Sequence, residues 1–295
     1  MITVMGATGN TGKKIADELL KAGEKVRALG RSESKLSELK SAGGEVLIGD
    51  ATDTAFLTQA FRGSDAVYTL VPGDPASVDY RAAQDRQGEA IAKAIRESGV
   101  RYVVALSSVG ADLSEGNGVI AGLHAQEERL KRLVNVNVLL LRPVSFFENF
   151  YISLAVGKHE GINADSVAAA LAIPMIATRD IAEVAARALK ARDWTGVVVR
   201  ELLGPRDLSY AEATSIIGRA IGKPDLQYVQ LPDDDEVSAL VHAGVSESGA
   251  RLYVEMTRGF NDETVKPLEN RTPANATPTR FEDFVEELAR AYQAM

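Results

Sequence analysis

The chain has 295 residues and a formal net charge of −8, from 33 Lys+Arg against 41 Asp+Glu; this length holds a Rossmann-size core plus a smaller region. The acidic balance argues against a nucleic-acid partner, which needs a basic face. Cysteine is absent, so disulfides, thiolate metal sites and cysteine nucleophiles are all excluded.

The three histidines, His124, His159 and His242, are too dispersed for metal-ligand spacing, so no metal is expected. No apolar run approaches ~18 residues and the N-terminus enters strand pattern at once, which predicts a cytoplasmic protein without a membrane span.

The first element, Met1-Ile2-Thr3-Val4-Met5, is a short apolar strand that runs into glycines at Gly6, Gly9 and Gly12 and then into helix-forming sequence. Gly6 suits the sharp reversal after a buried strand, Gly9 a close approach to pyrophosphate, and Gly12 tight packing of the new helix on the strand. Amides from about Asn10 to Lys13 then face the phosphates. The spacing Gly-x-x-Gly-x-x-Gly departs from the usual Gly-x-Gly-x-x-Gly, and a ligand-free glycine turn is the alternative. A Walker A loop is excluded because Ala7 and Lys14 stand where that motif needs Gly and Ser or Thr.

Strand patterns follow at Lys25–Leu29, Glu45–Ile48, Ala66–Leu70, Tyr102–Leu106 and Val138–Leu141. Helical patterns lie between them at Gly12–Lys21, Ser34–Ala42, Thr54–Phe61, Val78–Glu97 and Gly122–Val134. This alternation predicts an α/β, doubly wound parallel sheet in the order 3-2-1-4-5-6, with ligand at the carboxyl ends of its strands. After the second strand an acid would select NAD; here Gly30 precedes Arg31, which favours the 2′-phosphate of NADP. Ser32 and Lys35 add a hydrogen bond and charge, while Glu33 keeps NAD open.

The rhythm breaks after Pro143, which divides the chain into a core over 1–143 and a substrate region over 144–295, with segments such as 176–204 packing back on the core. The stretch Val144–Met175 holds the aromatic set Phe146, Phe147, Phe150 and Tyr151, read either as walls for a flat acceptor or as core. A helix over Asp180–Lys190, a strand over Val197–Leu203, and a capping box at Ser209-Tyr210-Ala211-Glu212 come next. A strand at Gln227–Leu231 and acid-led helices follow. Thr272–Thr279 reads as a surface connection, and Thr279-Arg280-Phe281-Glu282 as the cap of a last amphipathic helix.

Several of these motifs form one set. They are the glycine turn, Arg31, Gly49-Asp50, Leu106-Ser107-Ser108, His124-x-x-x-Glu128, Leu141-Arg142-Pro143 with Phe147-x-Asn149-Phe150, Ile176 to Ala182, and Leu203-Gly204-Pro205. The set resembles the NmrA-like group of atypical short-chain dehydrogenases/reductases over about the first 220 residues. The resemblance implies NADP held by Gly6, Thr8, Gly9, Asn10, Thr11 and Gly12 at the pyrophosphate and by Arg31 at the 2′-phosphate. It also implies Asp50 and Ala51 by the adenine, and Val71, Pro72 and Gly73 by the ribose. Ser107 and Ser108 are expected near the nicotinamide, closed by Pro143, Val144 and Phe147.

The usual Tyr-x-x-x-Lys pair of short-chain dehydrogenases is missing, since no tyrosine is followed four residues later by lysine. Alcohol–ketone chemistry, which needs that proton relay, is therefore disfavoured. His124 and Glu128, at i and i+4, are candidates for proton donor and orienter; the other reading has His124 bonding only to backbone or to the nicotinamide amide. Ser108 as a hydrolase nucleophile fails because Leu106 stands where the elbow needs glycine. The expected function is an NADPH-dependent reductase of a flat, apolar, conjugated small molecule such as a quinone. A non-catalytic NADP(H) sensor and an ether or isoflavonoid-type reductase are the alternatives, and a homodimer is left open.

Overall fold

A computed structural model of the chain describes residues 1–151, 154 and 161–294; His159 lies outside them. Among the described residues the central sheet has seven strands, all paired in parallel. These are β1 (Ile2–Val4), β2 (Val26–Gly30), β3 (Glu45–Ile48), β4 (Ala66–Thr69), β5 (Tyr102–Leu106), β6 (Asn137–Pro143) and β10 (Val197–Leu202). Their spatial order is β10-β6-β5-β4-β1-β2-β3, the expected 3-2-1-4-5-6 order with β10 added beside β6.

The near-continuous apolar runs of β4 and β6 match a sheet covered on both faces. On one face α1 (Gly12–Lys21) and α2 (Glu33–Ser41) place Ile15, Leu19, Leu36 and Leu39 against the sheet. The same layer receives Ile181, Ala185 and Leu189 from α6 (Thr178–Ala191). On the other face α3 (Thr54–Phe61), α4 (Tyr80–Ser98) and α5 (Ala121–Lys131) contribute Leu57, Phe61, Ile91, Ile95 and Leu130. Helix α4 begins two residues later than Val78 because the Asp79 carboxylate accepts the Ala82 N–H, a cap that fixes the start.

The remaining elements form two small sheets and a helical layer. Strands β7 (Ser145–Phe146), β9 (Ala172–Ile176) and β11 (Asp207–Ser209) make one sheet; β8 (Ile162–Asp165) and β12 (Gln227–Gln230) pair in parallel. Helices α7 (Tyr210–Ala220), α8 (Asp233–His242), α9 (Glu247–Asn261) and α10 (Phe281–Ala294) pack around them. The capping box at the start of α7 is present in its first half, with Ser209 Oγ accepting the Glu212 N–H at 3.1 Å.

Two local expectations are corrected. Thr272–Thr279 is a surface connection only in part: Thr272, Pro273, Ala274 and Pro278 are exposed, but Asn275, Thr277 and Thr279 are buried, and the Leu203 N–H donates to the Asn275 carbonyl, stitching this segment to the end of β10. Thr279 is not seen to cap α10: its hydroxyl accepts Arg179 Nε–H at 2.9 Å and donates to Asp180 Oδ1 at 2.6 Å, while its amide donates to Oδ2. Asp180 therefore ties the first turn of α6 to the chain entering α10.

Candidate active site

The carboxyl ends of β1, β2, β4, β5 and β6 open into a cavity of about 790 Å³. Gly6, Thr8, Gly9, Asn10 and Thr11 line one part, with Gly30, Arg31, Gly49, Ala51 and Phe56 beyond β2 and β3. Val71, Pro72, Ser107, Ser108, Val144 and Phe146 line the middle. The rest of the lining is mostly apolar, with Leu123, Leu171, Ile173, Met256 and Phe260, and it also holds Tyr210, Tyr253, Asp207, Glu263 and Lys266.

The three glycines of the first turn differ in what they accommodate. Gly6 has φ +62°, a backbone that L side chains rarely adopt. A Cβ on Gly12 would lie 2.3 Å from the Gly6 carbonyl oxygen, so only glycine lets α1 start against β1. A Cβ on Gly9 would meet nothing closer than the Gly6 carbonyl at 3.4 Å, and Gly9 borders the cavity. Among the described residues the amides of Asn10 and Thr11 donate to no backbone carbonyl. These features fit a dinucleotide: the fold demands Gly6 and Gly12, while Gly9 keeps clear a space that protein does not use.

Arg31 is exposed at the cavity edge and makes no hydrogen bond or ion pair among the described residues, so its guanidinium is available to a phosphate. Ser32 flanks α2 with its hydroxyl 3.0 Å from that of Ser34, and Lys35 is exposed on the same helix; neither lines the cavity. Asp50 turns away to accept Thr52 N–H and Oγ–H at 2.7 and 2.6 Å, bonds that hold its carboxyl below the usual range. Its neighbours Gly49 and Ala51 take the wall position instead, joined by Phe56, which the sequence reading passed over. Gly73 is also off the wall, its amide donating to Gln87 Oε1 at 3.1 Å.

Around the expected nicotinamide position the side chains are anchored from beneath. Ser107 Oγ–H donates to Glu127 Oε1 at 2.6 Å, and Arg142 grips the same buried carboxylate through Nε and Nη2 at 2.8 and 2.6 Å. The Pro143 carbonyl accepts the Val109 N–H at 3.0 Å, while Ser108 Oγ donates to the Val109 carbonyl at 2.8 Å. Thr11 is fixed from below as well, its Oγ1 accepting the buried Tyr68 hydroxyl at 2.9 Å.

Five candidates, His124, Glu128, Phe147, Phe150 and Tyr151, stand elsewhere than the chemistry would require. His124 does not border the cavity; its Nδ1 lies 2.9 Å from the Ala111 carbonyl, the backbone-bonding arrangement. Glu128 is paired with Lys131 at 2.9 Å, and that ammonium holds its carboxyl below the usual range, so the ring is oriented by Ala111 and not by Glu128. Of the aromatic set only Phe146 reaches the cavity. Phe147 and Phe150 are 0% and 2% exposed, and with Tyr151 they pack edge-on against Phe281 and Phe284 of α10, where they build the second core. Apolar α10 needs a matching partner surface, and these rings supply it.

No described helix is long and apolar enough to cross a membrane, and no described group of three or more His, Asp or Glu is placed to hold a metal ion. In full-length comparisons the chain is 30% identical over 299 residues to the (4-alkanoyl-5-oxo-2,5-dihydrofuran-3-yl)methyl phosphate reductase of Streptomyces griseus subsp. griseus, covering 99% of each chain. It is 26% identical over 309 residues to the NAD(P)H azoreductase of Xenophilus azovorans, covering all of both. Its fold matches the NADPH-dependent quinone oxidoreductase of Escherichia coli complexed with NADPH, with TM-score 0.76 and 22% identity over 98% of this chain and 99% of that one. The NmrA-like family pattern matches residues 1–286, and the chain is an oxidoreductase belonging to that family.

Proposed function

We propose that the chain is an NADPH-dependent reductase of flat, conjugated carbonyl compounds, quinones among them. The observation that carries this reading is one continuous cavity lined both by the glycine turn and Arg31 and by a mostly apolar set of side chains. Its relatives' names support the acceptor class, since an azo compound and an unsaturated lactone are both conjugated.

NADPH, when bound, supplies hydride from its nicotinamide ring. Arg31 binds the 2′-phosphate, and the free amides after Gly9 bind the pyrophosphate. Ser107, Ser108 and Val144 frame the nicotinamide position, with Ser107 immobilised by Glu127. Phe146, Leu171, Ile173, Met256 and Phe260 give the acceptor apolar surface from which water is displaced. A conjugated acceptor delocalises the charge it gains, so the missing Tyr-x-x-x-Lys pair is no obstacle.

The test is NADPH oxidation followed at steady state with a panel of quinones. Acceptor-dependent oxidation, with NADPH preferred to NADH, is the expected result. Tight NADP(H) binding with no oxidation by any acceptor would overturn the reductase reading in favour of a sensor.

A further inference from the structure

The mostly apolar lining of the cavity is backed by a buried cluster of acids and phenols. Asp165, 6% exposed, sits at the end of β8. Tyr253 of α9 donates to its Oδ2 at 2.8 Å, and the Val167 N–H donates to Oδ1 at 3.2 Å. Tyr228 of β12 faces it too but is committed to backbone, donating to the carbonyls of Val167 and Asp165 at 2.6 and 3.1 Å. Tyr210 of α7 and Glu236 of α8 complete the group, and Glu236 Oε2 is buried with no hydrogen-bond partner.

No lysine or arginine is among the charges acting on Asp165. Burial therefore raises the Asp165 carboxyl above its ordinary range, and burial together with Asp165 raises that of Glu236 to about 8. Tyr210 and Tyr253 alone of this cluster line the cavity.

The Asp165 proton decides what Tyr253 offers to a ligand. An ionised carboxylate takes the phenolic hydrogen for itself. A neutral carboxyl donates its own hydrogen to Tyr253 Oη, which frees the phenolic O–H to point into the cavity.

We propose that Tyr253 donates a hydrogen bond, and then its proton, to the carbonyl oxygen of the acceptor, with Asp165 as the positioning residue that restores that proton. This rests on the reductase reading above. Hydride brings two electrons and one hydrogen to the acceptor, and negative charge develops on its oxygen. The Tyr253 O–H bond breaks as the acceptor O–H forms, and the Asp165 proton moves to Tyr253 in concert, so no full phenolate stands in the apolar wall. Solvent then reprotonates Asp165; the sum is one acceptor, one NADPH and one proton consumed.

The experiment uses the full chain saturated with NADP⁺, which cannot deliver hydride, and titrates it with 2-methyl-1,4-naphthoquinone by calorimetry from the ordinary carboxylate range, about pH 4, upward to about pH 9. Wild-type affinity is expected to fall as pH rises and Asp165 ionises. Tyr253→Phe is expected to bind the quinone about tenfold more weakly at the acid end, with no pH dependence left. Asp165→Asn, whose amide N–H donates to Tyr253 permanently, is expected to bind at the wild-type acid-limit affinity across the range.

In turnover, Tyr253→Phe should lower kcat about 10²-fold with NADPH affinity unchanged. Asp165→Asn should lower kcat and flatten its pH profile. Unchanged quinone affinity and kcat in Tyr253→Phe, beside an active wild type, would overturn this proposal and leave the reductase reading intact. A wild type that binds NADPH and oxidises none with the quinone overturns both.

Discussion

Arg142 and Glu127 form a bidentate ion pair 5% and 1% exposed, and the carboxylate oxygen that Arg142 Nε holds also receives the Ser107 hydroxyl. One pair thus joins the end of β6 to α5 and fixes the residue that follows β5. This gives the Leu141-Arg142-Pro143 motif a physical role: the arginine is a strut beneath the site and does not touch the cavity.

Arg142→Met removes the main countercharge and leaves Glu127 with Lys131 at 3.3 Å as its remaining cation. A buried carboxylate stripped of its partner costs about 3 kcal/mol. Urea unfolding should show that loss, and the double variant Arg142→Met with Glu127→Leu should recover most of it. A single variant as stable as wild type would show that the pair holds nothing in place.

Gly9 and Gly12 should part company when each is changed to alanine. At Gly12 the new Cβ overlaps the Gly6 carbonyl at 2.3 Å, so Gly12→Ala should destabilise the protein by several kcal/mol and lose NADP(H). At Gly9 the protein has room, so Gly9→Ala should melt within a few degrees of wild type yet bind NADP(H) at least about tenfold more weakly. Thermal melts beside calorimetric titrations measure both, and retained affinity in Gly9→Ala would make that space incidental.

Arg31→Ala should weaken NADPH binding about 10–100-fold, as expected for losing charge-assisted bonds to a phosphate, and leave NADH binding nearly unchanged. Equal losses for the two nucleotides would remove Arg31 from the 2′-phosphate.

The sheet was legible because its signals are local. Alternating apolar strands and helices, a glycine turn and Arg31 at the second strand's end fix order and polarity with little help from tertiary contacts. Side-chain direction was less legible. Phe146 and Phe147 are adjacent, yet one faces the cavity and the other the α10 core, because a two-residue strand passes there into a 3₁₀ turn.

The His124-x-x-x-Glu128 spacing suggested a pair on one helix face, but Lys131 competes for the carboxylate at i+3 and the Ala111 carbonyl for the ring. Asp165 and Tyr253 are 88 residues apart, and no spacing rule links them. Only the hydrogen bonds of α9 to the chain at the end of β8 bring them together, with Tyr253 on the cavity wall and Asp165 behind it.

Glu236 makes the stability of the folded chain fall with rising pH. Burial and the neighbouring Asp165 raise its carboxyl from 4.5 to about 8, so between those values the folded state binds a proton that the unfolded state has released. Stability then declines as pH rises through that window, because ∂ΔG/∂pH carries the sign of protons bound unfolded minus folded. Below the lower value this contribution is level; above the upper one the full cost of a buried carboxylate is present. Glu236→Gln removes the ionisation while keeping the shape, so it should be about 1–3 kcal/mol more stable than wild type near pH 8 and nearly equal near pH 5. Urea unfolding of both proteins at several pH values measures the difference, and parallel stability curves would show that Glu236 titrates alike in both states.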